Sequence, residues 1–320
     1  MAEKDKFVCT TLCQQLKHIA KSNNTKSWAT KNTYMRELNK ICRDLFNQCQ
    51  VQKLENIKNI QVKNLIENYI DEGVSVAECK KRLSALRWAL SYQNAWLNTK
   101  GSKKQCRFTL TNKELGLGNK VFHQRFGISA EGFKQVLSAM QGNEKYQSMA
   151  TLQYYFGLRS REAVLVSQSQ LLNAIHTGKL TIKEGAKGGR ERKININTKQ
   201  KAILEDVLSK HGNLGYTNNY LFVDKGTKGN VSSVLKGYQC YFYNHQHDMP
   251  ETLNPDEHER TTSHTLRRSY ATNRLIQLRK KFDETQARAI VIAELGHGEQ
   301  RTELLKCYCG GILWETWQKN

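Results

Sequence analysis

Apolar residues recur at spacings of three and four along most of the chain, which is the pattern of helices that bury one face. The chain contains only two prolines, Pro250 and Pro255, so few positions are forced to interrupt a helix. Before residue 98 the pattern predicts helices separated by short polar breaks, at 7–20, 30–48, 62–71 and 75–97. We therefore expect a small all-helical bundle in this part of the chain.

A polar, basic and turn-rich segment follows the bundle at residues 98–104, and a second glycine-containing break covers 116–120. Segments of this composition are typical of linkers between domains. A chain of 320 residues is long enough to bury two separate cores. We therefore predict one domain over residues 1–115, with the basic linker at its end, and a second over residues 116–320.

The second half of the chain mixes two hydrophobic periods. Helical spacing covers 130–140 and 146–166, and apolar and polar residues then alternate in 179–182 and 192–196. The Gly- and Lys-rich turn between these two short runs predicts a β-hairpin. Helical spacing resumes at 199–210, 231–245, 264–281, 284–295 and 302–308. The expected fold class is mainly α with a small β-hairpin, and the second domain is expected to be of the α+β type.

The charge balance of the chain favours a polyanionic partner. Lys and Arg number 50 against 29 Asp and Glu, a formal charge of +21, and nucleic acid is the first candidate for such an excess. A membrane surface is the weaker alternative, because the basic residues are spread along the chain rather than gathered on one amphipathic helix.

The cysteines and the lack of a long apolar run indicate where the protein acts. No apolar run has the length of a signal peptide or a transmembrane helix. The nine cysteines form no CxxC pair, so reduced thiols are expected rather than disulfides. These features predict a soluble cytoplasmic protein.

Six residues in the second half of the chain are suited to phosphate chemistry: Arg159, Lys187, His264, Arg267, His297 and Tyr308. His264 and Arg267 are three residues apart, so on a helix they share a face and can converge on one small anion. His297 follows a helix-ending glycine, and Tyr308 comes eleven residues later. Lys187 lies at the predicted hairpin turn, from which a flexible amine can reach a groove.

In this order the six residues resemble the tyrosine recombinase and phage-type integrase family, whose catalytic domain carries Arg, Lys, His-x-x-Arg, His or Trp, and Tyr. The resemblance spans residues 125–310, and its motifs are Gly157-Leu-Arg159 with Glu162, Lys187, His264-Thr-Leu-Arg267-Arg-Ser-Tyr-Ala-Thr272, Leu295-Gly-His297 and Tyr308. It implies that the helical bundle is a core-binding domain that clamps DNA and that residues 116–320 form the catalytic domain.

The chemistry of strand cleavage explains why these residue types are needed. The transition state at a phosphodiester gathers negative charge on the non-bridging oxygens, which the planar guanidinium groups of Arg159 and Arg267 can offset. A phenol is protonated at neutral pH, so Tyr308 must lose its proton as it attacks, and His264 is the candidate base. Lys187 is the candidate general acid for the leaving 5′ oxygen. His297 is expected to bond a phosphate oxygen or to steady the tyrosine.

The resemblance further implies a 3′-phosphotyrosyl intermediate, strand exchange through a Holliday junction, and four protomers acting on double-stranded DNA sites. Integration or excision of a mobile element is the expected task, with DNA-bending or directionality proteins as possible accessory partners. We expect neither a metal ion nor another cofactor.

Two of the six assignments have alternatives within the sequence. The interval from His297 to Tyr308 is about two residues longer than is common in the family, so other tyrosines stay open as the nucleophile: Tyr154, Tyr155 and Tyr270. For the lysine, Lys183 and Lys193 flank the same hairpin.

Three other functions compete with the recombinase. A type IB topoisomerase uses a similar set of residues, and a DNA-binding protein could have lost its chemistry. A metal-dependent nuclease would need clustered ligands, for which His245-Gln-His247-Asp248 with Glu257-His-Glu259 is the nearest candidate. The apolar segment 312–317 is expected to pack on its own domain or on a neighbouring subunit.

Overall fold

The computed structural model describes residues 10–22, 26–91, 108–118, 125–186, 189–212, 220–223, 231–254, 258–297 and 304–309. The chain divides into two compact units, residues 1–121 and 122–320. Helices dominate both units, and the described residues contain a single two-stranded sheet. This confirms the predicted fold class. None of the described helices combines the length and the apolar character needed to span a bilayer.

The first unit is a helical bundle. Ser27 and Ser75 begin two of its helices, and their hydroxyls accept the backbone N–H groups of Thr30 and Glu78, which would otherwise lack a partner in the first turn. The described elements of this unit are α1 (Thr10–Ser22), α2 (Trp28–Cys49), a 3-10 helix (Leu54–Asn56), α3 (Asn59–Asp71) and α4 (Val76–Leu90).

The core of the first unit follows the predicted spacing. Leu38, Ile41 and Leu45 lie on one face of α2 and are fully buried. They belong to the same apolar cluster as Leu83 and Leu86 of α4. The bundle is therefore held together by the stripes of apolar residues that predicted it.

The second unit packs its helices around two apolar clusters. Its most extensive helix pairing is between the helices Glu144–Phe156 and Ser263–Leu278. The described elements are α5 (Ala130–Ala139), α6 (Glu144–Phe156), α7 (Ser160–Val164), α8 (Gln168–Thr177), β1 (Lys179–Ile182), β2 (Arg192–Asn195), α9 (Thr198–His211), α10 (Val231–Asn244), α11 (Ser263–Leu278), α12 (Glu284–Glu294) and α13 (Leu304–Tyr308).

The predicted hairpin is present: β1 covers all of the predicted run 179–182, and β2 covers all but the last residue of the predicted run 192–196. Strands β1 and β2 are antiparallel, with Leu180 opposite Ile194 and Ile182 opposite Arg192. Leu180, Ile182 and Ile194 are buried, so one face of the hairpin closes the core. Arg192 lies on this buried face as well.

One predicted helix is wrong. The segment 146–166 is not a single helix: α6 ends at Phe156 and α7 begins at Ser160. Gly157 causes the break, because it adopts a left-handed φ of 62° and its backbone N–H bonds the carbonyl of Gln153 as a helix cap. Helix α8, between α7 and the hairpin, was not predicted at all.

Several predicted segments lie wholly or partly outside the described residues. They are the basic linker 98–104, the apolar segment 312–317, residues 7–9, 92–97 and 302–303 of the predicted helices, and residues 119–120 of the second break. The division of roles between residues 1–115 and 116–320 stays a prediction.

Candidate active site

Arg159 lies in the break between α6 and α7. Its extended backbone (φ −71°, ψ 155°) makes it the residue that begins α7. The preceding turn requires a glycine at position 157, since a β-carbon there would collide with the ring of Tyr270. The side chain of Arg159 is 21% exposed, so it reaches a buried partner while part of it faces solvent.

Glu162 is the buried partner. Its carboxylate accepts the backbone N–H of Arg159 at 2.6 Å and the Nη1 of the same arginine at 2.7 Å. It also accepts both Nη groups of Arg192, at 2.7 and 2.6 Å, and lies 3.8 Å from Nη1 of Arg267. Burial by itself would raise the pKa of Glu162, but the hydrogen bonds and charge of Arg192, with the contribution of Arg159, lower it to about 2. Glu162 is therefore ionised wherever the protein functions.

Arg267 reaches the same place from α11. It is fully buried, and its Nη groups donate to the carbonyl oxygens of Gly157 and Leu295. Burial lowers the pKa of Arg267 most, and the positive charge of Arg159 lowers it further, to about 10. Arg267 is therefore charged at neutral pH. A buried guanidinium held by two carbonyls has a fixed orientation, as a preorganised phosphate ligand requires.

The turn after α12 joins the two arginines. The carbonyl of Leu295 accepts hydrogen bonds from Arg267 and, at 3.3 Å, from Nη2 of Arg159. Gly296 then adopts a left-handed φ of 64°, and the backbone N–H of His297 bonds the carbonyl of Ile292. One turn thus orients both arginines and sets the position of His297.

Tyr308 lies at the end of α13 and faces both histidines. Its ring centroid is 5.6 Å from that of His264 and 5.3 Å from that of His297, with interplanar angles of 61° and 60°. The guanidinium carbon of Arg267 lies 5.8 Å from the same centroid. The structure therefore brings five of the six predicted site residues together.

Local packing anchors the short helix that carries Tyr308. Leu305 and Cys309 are fully buried in the cluster formed by α11 and α12. The hydroxyl of Thr272 donates to the carbonyl of Tyr308 at 3.3 Å. Burial raises the pKa of the Cys309 thiol to about 12, so it stays protonated beside Tyr308.

The alternative tyrosines are occupied by packing. Tyr270 is buried and donates to Glu294 at 2.8 Å, and burial with this charge raises its pKa well above 10. Tyr154 stacks on Phe133 with centroids 4.0 Å apart, and Tyr155 meets Phe133 edge-on. These contacts favour Tyr308 over the other candidates for the nucleophile.

The predicted lysine, Lys187, lies outside the described residues, so its role stays a prediction. Of the alternatives, Lys183 is exposed just after β1, and Lys193 is exposed and forms an ion pair with Glu191 at 3.8 Å. Neither alternative has a described contact with the arginines or with Tyr308.

Comparison with known proteins identifies the family. A family model described as "Integrase" matches residues 120–273, and one described as "Phage integrase, N-terminal" matches residues 9–95, about three quarters of the chain together. The chain belongs to the phage integrase family of tyrosine recombinases. No curated protein sequence matches it significantly.

Solved structures share the fold of this tyrosine recombinase at low sequence identity. A lambda integrase tetramer bound to a Holliday junction matches with a TM-score of 0.62 and 18% identity, over 93% of this chain and 77% of that one. The Tn1549 transposon integrase with transposon right end DNA gives 0.65 and 14%, over 97% and 98%. The XerH recombinase in a post-cleavage complex with palindromic difH gives 0.63 and 19%, over 96% and 84%.

Sequence reasoning did not identify Arg192, which the structure pairs with Glu162 beside Arg159. The sequence did contain a signal. Arg192 is two and four residues before Ile194 and Ile196, so on a strand its side chain lies on the same apolar face. A charged residue on such a face is rarely buried without a partner, and Glu162 is that partner.

The described part of the chain does not bring the suggested metal ligands, at 245–248 and 257–259, together as a metal site. No group of three or more His, Cys, Asp or Glu side chains that could hold a metal ion occurs there. His258 instead pairs with Glu251 at 2.8 Å, and Glu259 pairs with Arg125 and Arg268 at 2.9 and 3.1 Å. Glu257 lies outside the described residues.

We predict that His264 of the DNA-free recombinase stays neutral well below pH 6.5. Partial removal of the imidazole from water is the largest cause, and the positive charges of Arg268, Arg267 and Arg159 add to it. Together they lower the pKa of His264 from 6.5 to about 4. NMR titration of the imidazole Cε1–H signals, assigned with a His264→Gln variant, will then show one histidine titrating near pH 4. A His264 midpoint at or above 6.5 would contradict the described charge environment.

Proposed function

We propose that this chain is a site-specific DNA recombinase that cuts and rejoins DNA strands through a 3′-phosphotyrosyl bond to Tyr308. The observation that carries this proposal is the convergence of Arg267, His264 and His297 on one tyrosine ring, with Arg159 joined to Arg267 through Leu295. Integration or excision of a mobile element is the reaction that we assign to it.

The proposed chemistry follows from the positions of the charges. Arg159, Arg192 and Arg267 supply three positive charges and Glu162 one negative charge, which leaves the cluster with a net charge of +2. A phosphodiester brings one negative charge, and the five-coordinate transition state brings a second. The cluster therefore matches the transition state better than the bound substrate, which is the condition for catalysis.

Each proton transfer has a candidate group. Tyr308 forms the new O–P bond while the bond from phosphorus to the 5′ oxygen breaks. His264, kept neutral by its surroundings, can accept the phenolic proton, and Lys187 can protonate the departing 5′ oxygen. His297 lies close enough to Tyr308 to orient the ring or to bond a phosphate oxygen. The reaction as written needs no metal ion.

The proposed partners are double-stranded DNA sites and further copies of this chain. The formal charge of +21 suits a DNA ligand, whose binding should weaken steeply with added salt. The lambda integrase of similar fold is solved as a tetramer on a Holliday junction, which supports a tetramer on DNA here. Accessory DNA-bending or directionality proteins are also proposed, and the cytoplasm is where we expect the reaction to occur.

A plasmid assay tests the function directly. Overlapping segments of the DNA that flanks the encoding gene are placed in pairs on supercoiled plasmids, and each plasmid is incubated with the protein in EDTA. We expect at least one pair to yield rearranged circles of the size that exchange between the two copies predicts. Relaxation of supercoils without any joined product would instead indicate a topoisomerase. Absence of both products on every segment would contradict the proposal.

A further inference from the structure

Arg192 is a buried cation whose charge counts toward the cluster, but no proposed cleavage step brings it to the phosphate itself. Its side chain is only 3% exposed, although arginine is among the residues that are least often buried. Both Nη groups bond the two oxygens of Glu162, at 2.7 and 2.6 Å, in the parallel arrangement that fixes a carboxylate in one plane. The pair is therefore rigid and shielded from water.

This arginine also supports the turn that orients the other two arginines. A β-carbon added at Gly296 would lie 3.0 Å from Cδ of Arg192, so the guanidinium stem packs directly beneath the turn. Leu295, the preceding residue, supplies the carbonyl that accepts hydrogen bonds from both Arg159 and Arg267. Arg192 therefore contacts both structures that hold the phosphate-binding arginines.

The Arg192–Glu162 ion pair also limits how strongly Glu162 neutralises Arg159 and Arg267. Glu162 has Arg267 at 3.8 Å, beyond hydrogen-bonding distance, while its two oxygens are occupied by Arg192 and Arg159. Without Arg192 the carboxylate would have only Arg159 and Arg267 to neutralise it. It would then compete with the DNA phosphate for the same guanidinium groups.

We propose that Arg192 is a positioning residue for strand cleavage: it holds Glu162 and the Leu295–Gly296 turn so that Arg159 and Arg267 face the scissile phosphate with their charge available. This inference rests on the proposed recombinase function. It differs from a purely structural role in one measurable way. Its effect depends on the negative charge of the scissile phosphate, since that charge is what the two arginines offset.

The test compares two substrates with the same pair of variants. The first substrate is a nicked duplex with a natural phosphodiester at the cleaved position, and the second carries a methylphosphonate there, which is neutral. Arg192→Met removes the buried guanidinium, and Arg190→Met is the matched control, because Arg190 is exposed on the same hairpin. Covalent adduct formation is measured with protein in saturating excess.

We expect Arg192→Met to slow adduct formation on the phosphodiester about 100-fold relative to wild type, and by no more than about tenfold on the methylphosphonate. Arg190→Met should match wild type on both substrates. Arg192→Lys, which keeps the charge but not the paired hydrogen bonds, should fall between wild type and Arg192→Met. If thermal unfolding shows that Arg192→Met does not fold, Arg192→Lys carries the same comparison between substrates.

Equal losses on the two substrates would overturn the inference, because they would indicate a general loss of structure. Wild-type rates in both Arg192 variants would overturn it as well. Failure of the proposed function has a different signature: the wild-type protein itself would form no adduct with the natural duplexes that tile the flanking DNA.

Discussion

Replacing Tyr308 by phenylalanine will abolish the covalent protein–DNA adduct and leave DNA affinity within a few-fold of wild type. The substitution removes only the oxygen that forms the bond to phosphorus, and the ring contacts with His264 and His297 can persist. Loss of a covalent nucleophile lowers the rate by at least about a thousandfold. The measurement is a denaturing gel after incubation with nicked duplexes from the flanking DNA, in EDTA.

Tyr155→Phe is the matched control for this prediction. Tyr155 is half-buried and packs edge-on against Phe133 and Tyr154, so the loss of its hydroxyl should leave adduct formation unchanged. An adduct that survives in Tyr308→Phe but disappears in another tyrosine variant would move the nucleophile to that residue.

Arg267→Lys will have the second largest effect, lowering the rate of adduct formation about 10²–10³-fold at saturating DNA. Lysine keeps the charge, but it cannot donate to the carbonyls of Gly157 and Leu295 and also face the phosphate. Because the missing interaction strengthens in the transition state, we expect the cleavage rate to fall far more than the affinity for DNA.

The control for Arg267 is an arginine just past the C-terminal end of the same helix. Arg279 follows the last residue of α11 and bonds both carboxylate oxygens of Glu284. Arg279→Lys should cleave like wild type. If Arg267→Lys binds DNA more weakly than wild type but cleaves at the wild-type rate at saturation, Arg267 binds DNA without contributing to the reaction.

The helices could be predicted from the sequence because their apolar stripes are regular. The stripe on α2 and the alternation in β1 and β2 produce the buried faces that were expected. The order of Arg159, His264, Arg267, His297 and Tyr308 predicted a site, and the structure brings these residues together, while their catalytic roles stay a prediction.

The break at Gly157 could not be predicted from periodicity, because the apolar spacing continues across it from α6 into α7. The requirement for glycine at this break is also tertiary, because the ring of Tyr270, from a helix more than a hundred residues away, leaves no room for a side chain. The Glu162–Arg192 pair was missed for a similar reason. Periodicity places Arg192 on a buried face, but only the fold reveals which carboxylate lies opposite.

The measurement that tests the central claim most directly is the mapping of the covalent bond itself. The wild-type adduct is formed in EDTA, digested with protease and nuclease, and analysed by tandem mass spectrometry. We expect a nucleotide joined through its 3′ phosphate to the peptide that contains Tyr308. A nucleotide joined to any other residue, or joined to Tyr308 through a 5′ phosphate, would contradict the account.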